Sequence, residues 1–398
     1  LTFAAKAQEI KKELVNWRRH LHQYPELSFE EIKTSTFVAK ELDKIPGIKV
    51  ERGVGYPTAV VGTLSSGSGP TIAVRADIDA LPILEQNNVS YRSKNKGVMH
   101  ACGHDAHTAI ALGTAHLLSK SFQKEEIKGK VKFLFQPAEE HVDETGRSGA
   151  PYMIQAGGLE NVDAAIALHM SPENRFGEVQ INDGYSMANV DVFRGDILAT
   201  GGHGAYPHLG TDPFWMLNQV LQMLYGISGR RITPLESAVI SIGSIHGGST
   251  SNVIPDRVKV QGTIRSYTPE TRDILRQEIK KAFGIVETMD GRYELEFIQE
   301  DPSLNNDSNI NNIFKHVIVN NYPDFKIIEK PFGLGGEDFA HIAKEIPASM
   351  FFLGCGVKDE KVRNLHTPHF DIDERVLPVG ATILAETAKT FLTGSDNS

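Results

Sequence analysis

Val162-Asp163-Ala164-Ala165-Ile166-Ala167-Leu168 is apolar at all but one position and ends at His169. A run of that kind reads as a strand buried on both faces, as in a mainly parallel sheet covered by helices. The flanking sequence agrees. Thr58–Leu64, Thr71–Asp77, Lys130–Phe135 and Ser349–Gly354 read as further strands. Helical spacing predicts helices over 5–23, Ser28–Asp43, Ala106–Ser119, Ala150–Gly157, Asn309–Asn320 and Pro378–Thr393. Strands that alternate with helices make an α/β domain.

The character changes near residue 188. From there the order reads strand (Val190–Leu198), helix (Asp212–Ile227), strand (Ser237–Ile245), strand (Arg257–Ser266), helix (Pro269–Met289) and strand (Arg292–Ile298). Val258, Val260, Gly262 and Ile264 share one face of the third strand. That order is the ferredoxin-like α+β arrangement. The chain then returns to α/β character. The expected organisation is therefore one discontinuous domain, 1–187 and 302–398, interrupted by an inserted domain, 188–301.

In parallel sheets ligands bind beyond the carboxyl ends of the strands. Asp77 and Asp79 follow Thr71–Arg75, Glu139 and Glu140 follow Lys130–Phe135, His169 follows Val162–Leu168, and His366 follows Ser349–Gly354. The densest stretch is Met99-His100-Ala101-Cys102-Gly103-His104-Asp105-Ala106-His107. Cys102 and His104 are two residues apart, so they meet one point only from a loop or turn, not from a regular helix. Asp105 is the expected N-cap of the next helix. Thiolate with imidazole suits a transition metal.

Composition bounds the function. The chain has 398 residues, a net charge of −9 and two cysteines, Cys102 and Cys355. No Lys/Arg-rich run appears, which argues against a nucleic-acid surface. No apolar run reaches the length of a membrane span. Two cysteines exclude a disulfide framework and point to a reducing compartment, here the cytoplasm. Leu1–Lys12 alternates apolar and charged residues and does not read as a secretory signal.

Five side chains can hold metal: Cys102, His104, Glu140, His169 and His366. Two closely spaced ions need a bridging ligand to complete their coordination. Such a pair polarises a carbonyl oxygen and acidifies bound water. A general base must still take the water proton and pass it to the leaving amine, and Glu139 is the candidate. Each residue also has a plainer reading. Glu139-Glu140 can be a solvated pair, His169 a half-buried histidine, and His369 competes with His366.

Eight stretches then resemble one known family in their order along the chain. They are Arg18-Arg19-His20-Leu21-His22 to Pro25-Glu26-Leu27-Ser28, Arg75-Ala76-Asp77-Ile78-Asp79-Ala80-Leu81-Pro82-Ile83, His100–Asp105, Gln136-Pro137-Ala138-Glu139-Glu140, Gly202-His203 to Pro207-His208, Asn252-Val253-Ile254-Pro255, Gly336-Glu337-Asp338-Phe339 and Leu365-His366. They are similar to the dimetal aminoacylase, hippurate hydrolase and auxin-conjugate hydrolase group. The resemblance implies a catalytic α/β domain with an inserted lid and dimerisation domain. It implies two divalent ions per subunit on Cys102, His104, Glu140, His169 and His366, with Cys102 bridging. Glu139 matches the general base, and Asp79 a carboxylate that orients a ligand. His203 matches a lid histidine that reaches the partner subunit's site. Asn252 and Arg265 match lid residues near the substrate carboxylate.

Three departures stand out. After Glu140, where the family has a Gly-rich run, this chain has the polar His141-Val142-Asp143-Glu144-Thr145-Gly146-Arg147-Ser148-Gly149. His141 can compete as a ligand there. Thr200 precedes Gly201-Gly202-His203 where a Gly-Lys pair is common. Asp77 stands where more distant relatives have a metal-binding histidine.

The expected function is hydrolysis of the amide of an N-acyl amino acid or small dipeptide-like substrate, by metal-bound hydroxide with a Glu base. Zn, Mn, Co and Ni all suit the site. A homodimer through edge strands of the inserted domain is expected. His203, flanked by glycines at a loop tip, would then donate to the oxyanion of the partner's site. Two alternatives are a thiol hydrolase, with Cys102 as nucleophile and His104 or His107 as base, and a non-catalytic metal or ligand sensor.

Overall fold

The computed structural model describes residues 2–359, 361 and 363–394. Chain contacts divide it into two compact units. One comprises 1–184, 305–332 and 338–398, and the other comprises 185–304 and 333–337.

The first unit is built on an eight-stranded sheet. From edge to edge its strands are Ile48–Arg52, Val60–Ser66, Gly129–Gln136, Thr71–Asp77, Ala164–Arg175, Ala348–Gly356, Glu178–Ile181 and Lys326–Glu329. The four strands from Gly129–Gln136 to Ala348–Gly356 run parallel, and the antiparallel pairings lie towards the edges. Every residue of Thr71–Asp77 is buried, because helices cover both sheet faces.

The helix His104–Gln123 is buried along nearly its whole length. Its Ala, Leu and Ile residues pack against the sheet, against Lys11–Gln23 and against Val376–Thr393. A helix buried on nearly every side belongs in a core. Gly113 permits the close approach: a Cβ there would lie 2.5 Å from a methyl of Leu14.

Several boundaries differ from the sequence reading. The first helix is two, Phe3–Glu9 and Lys11–Gln23, which meet at Ile10. The next starts at Ile32, not at Ser28. The helix after Cys102 begins at His104, and its N-cap is Gly103 at φ 91°, not Asp105. Asp105 instead turns its carboxylate to Arg18 and His22. The strand Ala164–Arg175 continues through His169, whose backbone pairs with Phe352.

The second unit has a four-stranded antiparallel sheet in the order Ala238–Gly247, Arg257–Ser266, Asn189–Leu198, Arg292–Gln299. The helices Pro213–Arg230 and Pro269–Gly284 pack on it, capped by Asp212 and Thr268. Val258, Val260 and Ile264 are buried together with Phe193, Leu224, Ile279 and Phe283. A separate two-stranded ribbon pairs Gly202–His203 with Val253–Ile254. Among the described residues no helix is long and apolar enough to cross a membrane.

Candidate metal centre

Local structure brings the sequence candidates of the first unit together. Gly103 adopts φ 91°, which glycine tolerates without strain, and a Cβ there would meet Met170 at 2.8 Å. The turn at Gly103 puts Cys102 before the helix and His104 in its first turn. His169 lies within the strand Ala164–Arg175, its ring stacked on Phe352 with centroids 5.0 Å apart. Glu139 and Glu140 follow Gly129–Gln136 through Pro137 and Ala138, the latter at φ 48°. His366 also stands in the left-handed region, at φ 61°, and its N–H donates to Ala101 O at 2.8 Å. Left-handed backbone in non-glycine residues is uncommon, and both cases lie beside the centre.

Cys102 Sγ lies 3.5 Å from His169 Nε2 and 3.3 Å from His366 Nε2. Glu140 Oε1 is 3.3 Å from His366 Nε2 and 3.6 Å from His104 Nε2. Donor atoms within 4.8 Å of one another form the groups Cys102–His104–His169, Cys102–Glu140–His366 and His104–Glu139–Glu140. Among the described residues neither His141 nor His369 joins such a group.

Hydrogen bonds fix how the imidazoles present themselves. His104 Nδ1 is 2.9 Å from the backbone oxygen of Asp79, which only accepts, so Nδ1 carries the proton. In the neutral ring, the form that binds metal, Nε2 then holds a lone pair, and this atom is buried without a hydrogen-bond partner, as is Glu140 Oε1. His169 Nδ1 likewise donates to Met170 O at 2.8 Å, which turns its Nε2 lone pair towards Cys102. Oriented lone pairs, a thiol and an orphaned carboxylate oxygen in one buried spot suit a transition metal.

Around them, Asp79 Oδ1 accepts from His104 Nδ1, and Asp79 Oδ2 accepts from Ser28 Oγ at 2.6 Å and from Glu140 N–H at 3.0 Å. Burial opposes the Asp79 charge, but these donors hold its pKa below the usual carboxylate range. His107 is already used. It donates from Nδ1 to Asp77 Oδ1 at 2.6 Å and accepts from Met170 N–H at Nε2. Asp77 Oδ2 takes Arg75, which also pairs with Asp338, so neither Asp77 oxygen lacks a donor. Asp338 in turn accepts from Gln136, Ser148 and Ala150 N–H, tying the loop after Glu140 to the strand end.

The centre is rich in negative charge. Burial opposes protonation of His104, yet Asp77, Asp79 and Glu140 push its pKa up to about 10. Burial, then Glu140 and Glu139, push the Cys102 thiol well above its ordinary value. A nucleophilic cysteine needs the opposite setting, an electropositive one. A bound cation satisfies every one of these groups. The thiol-hydrolase reading gains no support.

The remaining candidates lie in the second unit. His203 faces Val253 across the ribbon, and Gly204 N–H donates to Asn252 O at 2.9 Å. His203 is exposed, and its Nδ1 accepts from Ala205 N–H at 3.0 Å. Asn252 Oδ1 accepts from Thr250 Oγ1. Arg265 donates one nitrogen to Leu334 O at 3.1 Å.

Sequence reasoning missed Glu31. This fully buried carboxylate accepts from Ala138 N–H, immediately before the glutamate pair. Burial and the charge of Asp79 push its pKa up to about 7. Adjacent Glu30-Glu31 was visible, but not which of the two turns inward. The Arg18–Asp105–His22 cluster behind His104 was also missed, because its members are far apart in sequence.

Comparison with known proteins agrees with this geometry. The description "Peptidase family M20/M25/M40" matches residues 73–390. N-acetyl-L-cysteine deacetylase of Bacillus subtilis is 39% identical over 394 residues, covering 98% of this chain and 90% of that one. Thermostable carboxypeptidase 1 of Saccharolobus solfataricus is 39% identical, covering 96% of each. The crystal structure of the Bacillus subtilis YXEP protein, described as a dinuclear metal binding peptidase from the M20 family, superposes with a TM-score of 0.84 at 33% identity, over 97% of this chain and 99% of that one. With its oriented metal donors, the chain belongs to peptidase family M20/M25/M40 and is a metal-dependent amidohydrolase.

Proposed function

We propose that the chain cleaves the amide bond of N-acyl amino acids or small dipeptide-like substrates, with two divalent ions per subunit. The observation that carries this reading is the pair of donor groups, Cys102–His104–His169 and Cys102–Glu140–His366, that share one thiol. A thiol common to two donor groups is one that would serve both ions. When bound, the ions polarise the scissile carbonyl and acidify the attacking water. The thiolate favours zinc, and manganese, cobalt and nickel are the other candidates.

The protein's own groups do the rest. Glu139, whose Oε2 is 3.9 Å from His104 Nε2, takes the water proton and delivers it to the leaving amine. Asp79 keeps His104 in the tautomer that offers Nε2. His203 accepts at Nδ1, so its neutral ring carries the proton on Nε2 and can donate to the developing oxyanion. Asn252 accepts at Oδ1, which leaves its amide nitrogen to hold the substrate carboxylate together with Arg265.

A cleft of about 470 Å³ borders Glu140. Leu27, Ala80, Leu81 and Pro82 wall it, and Glu30 and His141 line it as well. Away from the donor Glu140 its one charged side chain is Glu30, and it has no Lys or Arg, so it offers no cation to the carboxylate half of the substrate. The neutral acyl half fits there.

Residues 188–301 then act as lid and dimerisation domain. The edge strand Ala238–Gly247 carries no Asp, Glu, Lys or Arg, whereas the opposite edge, Arg292–Gln299, carries Arg292, Glu294 and Glu296. Trp215 and Tyr225, 61% and 64% exposed, lie on the neighbouring helix Pro213–Arg230. An uncharged edge beside exposed aromatics supports pairing with a second copy.

The test is a panel of N-acetyl, N-benzoyl, N-hexanoyl and N-succinyl amino acids, assayed after chelation and after return of each metal. Activity should vanish with chelation and return with metal, and neutral bulky acyl groups should exceed succinyl. Full activity in chelated protein would sink the reading.

A further inference from the structure

Glu31 is wholly buried and belongs to no donor group of the centre. Its Oε1 accepts from Phe29 N–H at 2.9 Å and from Ala138 N–H at 2.8 Å, and its Oε2 accepts from Thr58 Oγ1 at 2.8 Å. The two backbone donors share a property. Phe29 stands at φ 69° and Ala138 at φ 48°, both left-handed and neither glycine. A side chain with a Cβ resists that conformation unless the surroundings hold it there.

Ala138 is the more consequential of the two, because Glu139 and Glu140 come directly after it. Glu140 N–H is itself held by a buried carboxylate, Asp79 Oδ2, at 3.0 Å. Two carboxylates therefore grip the backbone of this turn, one at Ala138 N–H and one at Glu140 N–H. On the far side of the turn, Gly149 N–H donates to Ala138 O at 2.8 Å, and a Cβ at Gly149 would lie 1.7 Å from Pro137 O. The turn has no room to relax towards the 149 side, so its conformation depends on the grip at Ala138 N–H.

We infer that Glu31 is a positioning residue: it holds Ala138 in the left-handed conformation that aims Glu139 at the substrate and Glu140 at the metal. The inference rests on the reading of Glu139 as base and Glu140 as ligand. It also accounts for a carboxyl group in the core that belongs to no metal-donor group. A buried carboxylate is costly unless its oxygens are used, and here backbone and hydroxyl donors use both.

Three variants separate positioning from plain structural support. Glu31→Gln keeps an oxygen for the two N–H groups and turns its amide to the Thr58 hydroxyl, so kcat should stay within about threefold. Glu31→Leu fills the space but accepts nothing. Its kcat should fall about a hundredfold with KM within about threefold, and its second metal equivalent should bind at least about tenfold more weakly in competition with a fluorescent chelator. Glu31→Asp withdraws the carboxylate from Ala138 while preserving the charge. Its kcat should fall at least about tenfold, and it serves if the leucine variant does not fold.

The decisive step adds Ala138→Gly to the impaired variant. Glycine adopts positive φ without help, so the double variant should recover about tenfold in kcat. Core support would not be restored by a glycine at 138, which neither refills the space at residue 31 nor supplies an acceptor, so recovery reads the backbone conformation of Ala138. Wild-type kcat and metal affinity in both Glu31→Leu and Glu31→Asp, or no recovery with Ala138→Gly, overturns the inference. Glu139→Gln is assayed alongside. If it is active, the base reading has failed. If it is inactive while both Glu31 variants are unimpaired, the positioning role has failed alone.

Discussion

His104 donates from Nδ1 to the backbone oxygen of Asp79 at 2.9 Å, and its Nε2 is left buried with no hydrogen-bond partner. The pair converts an ordinary histidine into a ligand with a fixed tautomer. Asp79 adds a second grip through Oδ1, at 3.2 Å from the same nitrogen. Outer partners of this kind orient metal ligands and raise their basicity.

Glu139→Gln keeps shape and cannot take a proton. Its kcat should fall by about 10² to 10⁴-fold, the scale of general acid–base catalysis. Metal content should stay at the wild-type value, measured by elemental analysis. A collapse of metal content together with activity would mean that the roles of Glu139 and Glu140 are reversed.

Cys102→Ser replaces an ionisable soft ligand by a hydroxyl. Metal should fall to one equivalent or none, and excess metal should restore part of the activity. The thiol of the wild type carries a raised pKa without a cation, from burial and from Glu140 and Glu139. Ligation must displace its proton, so wild-type metal affinity should rise with pH, and the serine variant should lose that part of the slope. Absence of rescue at full metal occupancy would count for a nucleophilic thiol.

His203→Ala and Glu139→Ala should each be nearly inactive alone. If His203 serves the partner's site, a mixed dimer has one intact site of two. Random re-assortment of equal amounts makes about half the dimers mixed, so about a quarter of wild-type activity should return. Dissociation and re-association of the two variants measures this. No recovery, with mixed dimers demonstrated, would place His203 in its own subunit's reaction or outside the reaction.

Arg18 has no exposed surface and reaches Asp105 Oδ2 and Asp371 Oδ1, each at 2.9 Å, and Glu374 Oε1 at 3.3 Å. Arg18→Met leaves buried carboxylates without their cation and should cost about 3–5 kcal/mol, read as a lower denaturation midpoint. The pH dependence comes from the same cluster. Burial and Arg18 oppose the charge of His22, but Asp105 and Glu85 raise its pKa, so its stabilisation is full below about 6.5 and is lost as pH rises through the raised value. Burial opposes the charges of Asp371 and Glu85, but Arg18 and His22 respectively lower their pKa values. Their stabilisation is present above the ordinary carboxylate range and is lost as pH falls through the lowered values. The melting temperature should therefore fall on acidification below the carboxylate range, and less so in Arg18→Met. Equal acid profiles would remove the cluster from the account.

Much of this was legible in the residues. Apolar runs such as Val162–Leu168, and the alternation of Val258, Val260 and Ile264, report which faces are buried, because period and burial are local properties of strands. The placement of Glu140 just beyond a strand end came from the same patterns, whereas His169 lies within its strand, which runs on to Arg175, and His366 sits in the loop after Ala348–Gly356. Capping was less legible. Asp105 is a good N-cap by type, but a fully buried Arg18 holds its carboxylate, and Gly103 starts the helix instead.

By its own pattern the sequence determined an α/β domain with an inserted α+β segment and a set of metal-binding side chains. Only the tertiary structure decided which atoms meet. Cys102 and His366 are 264 positions apart, and Glu31 and Ala138 are 107 apart. No local periodicity encodes such contacts, since they form where separate elements pack. The tautomers of His104 and His169, the commitment of His107 to Asp77, and the choice of Glu31 over Glu30 as the buried acid all depend on acceptors and donors that the folded chain supplies. Hydrogen bonding is directional and acts over about 3 Å, so it is settled only once the chain is folded.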